Sequence, residues 1–184
     1  MDVLSASYND NKIMWFENDG SESFTNHSIS TNADGATDVY AIDLDRDGDI
    51  DVLSADAGDH TVAWYENDGS ESFTTHNIAE NNALSVRSVY AVDMDKDGDI
   101  DVLSASYNDD RISFYQNDGS QNFSINYITS NADGAQSVYA VDIDGDGDMD
   151  VLSASKNDDK IAWYEAAVDN TAPTISSVSL ASDN

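Results

Sequence analysis

Asp43, Asp45, Asp47, Asp49 and Asp51 occupy every second position of one nine-residue stretch. Asp93, Asp95, Asp97, Asp99 and Asp101 repeat the pattern, and Asp142, Asp144, Asp146, Asp148 and Asp150 repeat it again. Carboxylates at that density repel one another unless a cation lies among them, and an all-oxygen donor set suits a hard ion such as Ca²⁺. By analogy with other calcium loops, positions 1, 3 and 5 turn their side chains inward and the glycine at position 6 (Gly48, Gly98, Gly147) permits a sharp turn. Position 7 then offers its backbone carbonyl, and position 9 closes the shell with a last carboxylate. No loop contains Cys or His, which leaves zinc poorly served. Mg²⁺ prefers a smaller octahedral shell and keeps its waters. The expectation is about three Ca²⁺ per chain, one in each loop.

The loops begin 50 and 49 residues apart, so each belongs to one unit of a repeat. They are not EF-hands. That motif needs Glu at position 12, where this chain has Ser54, Ser104 and Ser153. The flanks are β-prone as well: Val-Tyr-Ala-Ile or Val-Tyr-Ala-Val precedes each loop, and Val-Leu-Ser-Ala follows.

Positioning such loops requires strands. One repeat reads as a strand at 39–44, the acidic loop, a second strand at 51–55, a third at 61–66 and a fourth at about 73–78. Asn-Asp-Gly at 67–69 marks a hairpin, because these residues tolerate positive φ; the same turn recurs at 18–20 and 117–119. The third strand is apolar on both faces. Ile13 and Trp15, Val62 and Trp64, Ile112 and Phe114, and Ile161 and Trp163 share one face, while Phe16, Tyr65, Tyr115 and Tyr164 take the other. Such a strand is covered on both sides, as in a small sheet held between two like itself. Four-stranded sheets at this period, stacked radially, form an all-β propeller. The expected division is a partial repeat at 1–38, repeats at 39–87 and 88–137, and a partial repeat at 138–167, about 3.5 blades. Asp2 then corresponds to position 9 of an earlier loop. Residues 168–184 contain the chain's one proline, Pro173, and read as a linker with the start of a further β-module.

Bulk composition narrows the function classes. Seven Lys and Arg against 37 Asp and Glu give a formal charge of −30, and three Ca²⁺ would reduce it only to −24. That surface repels nucleic acid and anionic membranes. No apolar run approaches membrane-spanning length. Cysteine is absent, so disulfides give no sign of the redox compartment. Met1-Asp2 opens no signal peptide, yet loops of this kind make most sense where calcium is abundant, which points to an exported protein.

The Asp-x-Asp-x-Asp-Gly-Asp-x-Asp loop followed by Val-Leu, with Asn-Asp-Gly before an aromatic, resembles the FG-GAP/VCBS-type repeats that also build integrin α-subunit propellers. The resemblance covers about residues 1–166. It implies Ca²⁺ in each loop, held by the side chains of positions 1, 3, 5 and 9 and the carbonyl of position 7, and rings that are commonly seven-bladed. The tail resembles the start of an Ig-like module of large secreted bacterial proteins, which implies an extracellular or cell-surface parent.

Three identical loops suggest structural rather than catalytic metal. His27 and His76 fall at equivalent places, His60 stands alone, and no nucleophile cluster emerges, so no catalytic residue is expected. The tryptophans are expected to pack neighbouring blades, with sugar stacking as the alternative; Tyr8 and Tyr107 are alternative contact points in turns. The leading expectation is a calcium-stabilised propeller module that binds glycan or protein partners in adhesion. The alternatives are the propeller part of an extracellular polysaccharide-degrading enzyme, and a spacer with no ligand beyond calcium. Open blade edges add the possibility of a homo-oligomer.

Overall fold

The computed structural model describes residues 1–166 and the backbone of 178–180. They form strands and loops only. The first sheet is three-stranded: β1 (Val3–Ser7), β2 (Lys12–Asn18) and β3 (Phe24–Ser30). The second is β4 (Ala36–Ile42), β5 (Asp51–Asp56), β6 (Thr61–Asn67) and β7 (Phe73–Ala79). The third is β8 (Val86–Val92), β9 (Asp101–Ser106), β10 (Arg111–Asn117) and β11 (Phe123–Thr129). The fourth is β12 (Ala135–Val141), β13 (Asp150–Ser155), β14 (Lys160–Tyr164) and β15 (Val178–Leu180). Each sheet is an antiparallel meander in chain order, the blade of a propeller. Of the tail expected over 168–184, only 178–180 lies among the described residues, and it pairs with β14 as the fourth sheet's outer strand.

The first strands of the complete blades, β4, β8 and β12, lie beside one another, and β1 lies beside β4. Tyr40, Tyr90 and Tyr139 meet in tilted pairs along this row, with ring centroids 5.0 and 4.7 Å apart. Blade-to-blade hydrogen bonds accompany the pairs: Thr37 Oγ1 donates to the Val86 carbonyl at 3.0 Å, and the Val89 amide donates to Asp38 Oδ2 at 3.1 Å. Among the described residues the four sheets form an arc that does not close.

Blade interfaces hold the core. Leu53, Val62 and Trp64 of the second blade pack with Val86, Val89 and Tyr115 of the third. Leu103, Ile112 and Phe114 repeat this against Val138 and Val151 of the fourth. Each such side chain stabilises the fold by about 1.5–3 kcal/mol when fully buried. The serine of Val-Leu-Ser-Ala satisfies the buried tyrosine hydroxyl of the third strand: Ser104 Oγ lies 3.0 Å from Tyr115 Oη, and Ser54 and Ser153 repeat the contact with Tyr65 and Tyr164. Two-faced burial thus holds for the inner blades. On the fourth blade Ile161 is 59% exposed and Tyr139 50%, because no fifth sheet covers that face among the described residues.

The first strand departs from its expected limits, running over Ala36–Ile42 instead of 39–44. Leu44 belongs to the loop: it is fully buried, and its amide donates to Asp51. Position 2 is therefore a core anchor in the first two loops, with Met94 also buried, whereas Ile143 in the third is 49% exposed.

Candidate metal centres

Each acidic loop joins a blade's first strand to its second, and in the second and third blades the Asn-Asp-Gly hairpin lies against it. Position 9 is the most buried acid of each loop. Asp51 is 0% and Asp101 1% exposed. Its carboxylate clamps two backbone segments. Asp51 Oδ2 accepts the Leu44 amide at 3.0 Å and Oδ1 accepts the Asn67 amide at 2.8 Å. Asp101 does the same with Met94 and Asn117, and Asp150 with Ile143 and Ala166. Asp2 keeps half of this arrangement, accepting the Asn18 amide at 3.1 Å.

The cluster is completed by positions 1 and 3. Ligand oxygens of Asp43, Asp45 and Asp51 lie within 4.8 Å of one another, as do those of Asp93, Asp95 and Asp101. In the third loop the converging set is Asp142, Asp144 and Asp146, at positions 1, 3 and 5, and it is more exposed. Asp47 and Asp97, expected as position-5 ligands, are exposed and outside their clusters; each accepts the amide two residues on, from Asp49 and Asp99, at 2.9 Å. At position 7, Asp49 and Asp99 lie against the hairpin glycines Gly69 and Gly119, and Asp148 pairs with Lys96. These three side chains lie outside the clusters.

Asp43 Oδ1 and Asp93 Oδ1 provide a test of fit. Both are buried without a hydrogen-bond partner. An unpartnered carboxylate oxygen costs several kcal/mol unless a cation meets it, and two carboxylates stand beside each. The first two loops therefore fit a hard divalent ion. Asp142 differs, since its two oxygens accept the Gly145 and Gly147 amides at 2.7 and 3.0 Å.

Electrostatics agree with the geometry. Burial pushes the Asp45, Asp51 and Asp95 carboxyls above their usual range, and pushes Asp101 up to about 7. For Asp144 the Asp146 amide pulls downward, but desolvation and neighbouring carboxylates win and the shift is upward. Burial and neighbouring carboxylates disfavour the charged form of these groups, and an added positive charge favours it.

Sequence reasoning missed two supporting groups. Asn67 and Asn117, treated there as turn residues, brace the loop: their Nδ2 atoms donate to the Ile50 and Ile100 carbonyls at 3.1 Å. A constant 16-residue step from position 9 (51 to 67, 101 to 117, 2 to 18) marks them in the sequence. The second group is the residue before this asparagine. Glu66 and Glu165 lie close enough to Asp45 and Asp144 to raise their pKa, whereas Gln116 Nε2 donates to Asp95 Oδ2 at 2.6 Å.

The aromatic candidates turn out to be packing groups. Trp64 is 3% exposed and stacks on His76 with centroids 4.6 Å apart; Trp15 stacks on His27 at 4.4 Å. The histidines are therefore not scattered surface residues. Each sits opposite its tryptophan across the strand pair and meets a glutamate, His76 with Glu66 at 2.7 Å and His27 with Glu17 at 3.3 Å. Of the turn tyrosines, Tyr8 is exposed, while Tyr107 donates to Asn157 Oδ1 at 3.1 Å.

Antiparallel blades whose first two strands are joined by an acidic loop, repeated three times, define a propeller-repeat protein. Comparison with known proteins places it further: the FG-GAP-like repeat matches residues 1–54, 43–104 and 93–153. The chain belongs to that family. A solved structure of a protein from Lactobacillus plantarum superposes with a TM-score of 0.65 at 15% identity, over 98% of this chain and 53% of that one. That likeness supports the propeller-type fold, and the present chain spans about half the neighbour's length. No curated protein matches the chain. No helix among the described residues is long and apolar enough to cross a membrane.

Proposed function

We propose that the chain is a calcium-stabilised propeller module of an extracellular or cell-surface protein, with one Ca²⁺ in each loop at 43–51, 93–101 and 142–150. The observation that carries this reading is the pair of buried, unpartnered oxygens, Asp43 Oδ1 and Asp93 Oδ1, each facing two further carboxylates. Calcium here is structural. It neutralises carboxylates that position 9 ties to both the loop and the hairpin, so binding stabilises the blade entrance by about 1.4–2.7 kcal/mol per site at ten to a hundred times the dissociation constant.

The module's wider role is adhesion to a glycan or protein, with calcium holding the blades in shape. Clefts at the blade junctions support this. One of about 270 Å³ between the first two blades is lined by Trp15, Ile50, Val52, Glu71 and Phe73, pairing an apolar floor with a carboxylate rim. The uncovered face of the fourth blade, with Tyr139 and Ile161, suits another blade or a second copy of this chain. Glycan-array binding in calcium, lost in chelator, tests the adhesive role; a flat array together with no captured surface protein contradicts it. Light scattering at high protein concentration tests the second copy, and a monodisperse monomer argues against it.

A further inference from the structure

Position 4 is the one position inside the acidic loops that varies in charge: Arg46, Lys96 and Gly145. Two of the chain's seven Lys and Arg therefore sit among its densest carboxylates. Both side chains leave their own loop. Arg46 Nη2 lies 3.8 Å from Asp93 Oδ2, at position 1 of the next loop, and its Nη1 lies 3.5 Å from where a Cβ on Gly98 would stand. Lys96 Nζ lies 2.6 Å from Asp148 Oδ1 in the third loop and 3.8 Å from the corresponding point on Gly147. The reach into the following loop recurs 50 residues later, although Arg46 meets position 1 and Lys96 meets position 7. Arg46 and Lys96 adopt it at positive φ, 64° and 61°, a conformation uncommon for residues with a side chain. Gly145 has no side chain to send onward.

We propose that Arg46 and Lys96 are cross-blade latches: each acts as a stand-in counter-ion for the following loop, stabilising that loop when it holds no Ca²⁺ and weakening its affinity for Ca²⁺. The proposal rests on the calcium reading above. The reason is Coulombic. A fixed cation beside an empty carboxylate cluster relieves repulsion, and the same cation opposes a divalent ion arriving within a Debye length. The incoming cations pass over the position-6 glycines, at van der Waals distance from where a Cβ on Gly98 or Gly147 would stand. By this arrangement the first loop receives no cation from a preceding loop among the described residues, while the second and third each receive one.

The test is a Ca²⁺ titration of the full 184-residue chain followed by NMR through the amides of Gly48, Gly98 and Gly147, one reporter per loop. K96Q is expected to tighten Ca²⁺ binding at Gly147 by about two- to fivefold, the scale of removing one exposed charge near a divalent site, and to leave Gly48 unchanged. R46Q is expected to do the same at Gly98. Both variants melt earlier than wild type in chelator, whereas K96R, which keeps the charge, retains wild-type affinity at Gly147. Unchanged or weaker binding at the following loop, or an effect confined to the variant's own loop, overturns the latch while leaving calcium binding intact. If no glycine of the wild-type chain responds to Ca²⁺, the calcium reading falls and the latch with it.

Discussion

Position 9 and position 1 make separable contributions at the scale of single residues. Asp101 ties two backbone amides whether or not a cation is present, so D101A should destabilise the protein in chelator by about 1–3 kcal/mol, the cost of leaving buried donors unmet. Asp93 Oδ1 is buried with no hydrogen-bond partner. D93N should therefore leave the chelator melting temperature unchanged or raised, and should abolish calcium binding at its own loop. Equal losses for both variants in chelator would contradict this division. Asp56 supports a prediction away from the metal centres. It replaces the serine found at positions 7, 106 and 155, and it faces Thr61 across the strand pair where those serines face Lys12, Arg111 and Lys160. The residue is 2% exposed, and burial, with Asp59 and Asp34 nearby, pushes its carboxyl up to about 7. A raised carboxyl binds more protons in the folded state, so its stabilising effect is full below about pH 4 and lost as pH rises through 7. Chemical denaturation should find D56S more stable than wild type at pH 8 by up to about 4 kcal/mol, with a gain that shrinks towards pH 5. A pH-independent difference would contradict the assignment.

At the scale of elements, the hairpin and the loop form one unit. Gly119 lies at φ 76°, and a Cβ there would stand 2.5 Å from Asp99 Oδ2. G119A should cost about 1–2 kcal/mol from the left-handed backbone alone. It should also weaken calcium binding at the loop of 93–101, because Asp99 must shift. Titration of this variant beside G20A tests the point, since a Cβ on Gly20 meets nothing within 4 Å; equal calcium affinities would separate hairpin from loop. Much of this unit was legible in the sequence. Alternation placed the second and third strands within a residue or two of their ends, and Asn-Asp-Gly located the hairpins. The first strand was misplaced because Leu44 and Met94 look like strand residues but serve as anchors inside a polar loop. The clamp of position 9 and the Trp–His stacks were hidden for a common reason: both depend on which residues face one another across strands, and this follows from register rather than from spacing along one strand. Position 5 falls outside the first two clusters, and alternation alone does not tell a carboxylate facing the cluster from one capping the next amide.

For the whole molecule, charge is the dominant variable. A formal −30 on 184 residues sets the blades against one another, and the acidic loops are the densest part of that charge. In chelator the melting temperature should rise steeply with sodium chloride between 10 and 500 mM, as the screening length falls from about 30 to under 8 Å. In saturating calcium the slope should be shallower, because the strongest repulsion is already neutralised; parallel slopes would mean that the loops are not its source. The propeller architecture was readable from the 49–50-residue period and two-faced third strands. The openness of the arc is a three-dimensional property: it shows in Tyr139 and Ile161, which are buried by type but exposed by place.

The central claim, that the three loops are structural calcium sites, is tested most directly by thermal unfolding with calcium titrated against chelator, with calorimetric stoichiometry on the same sample. The account predicts a large calcium-dependent rise in melting temperature and about three sites per chain. An unchanged melting temperature with no binding heat would contradict it.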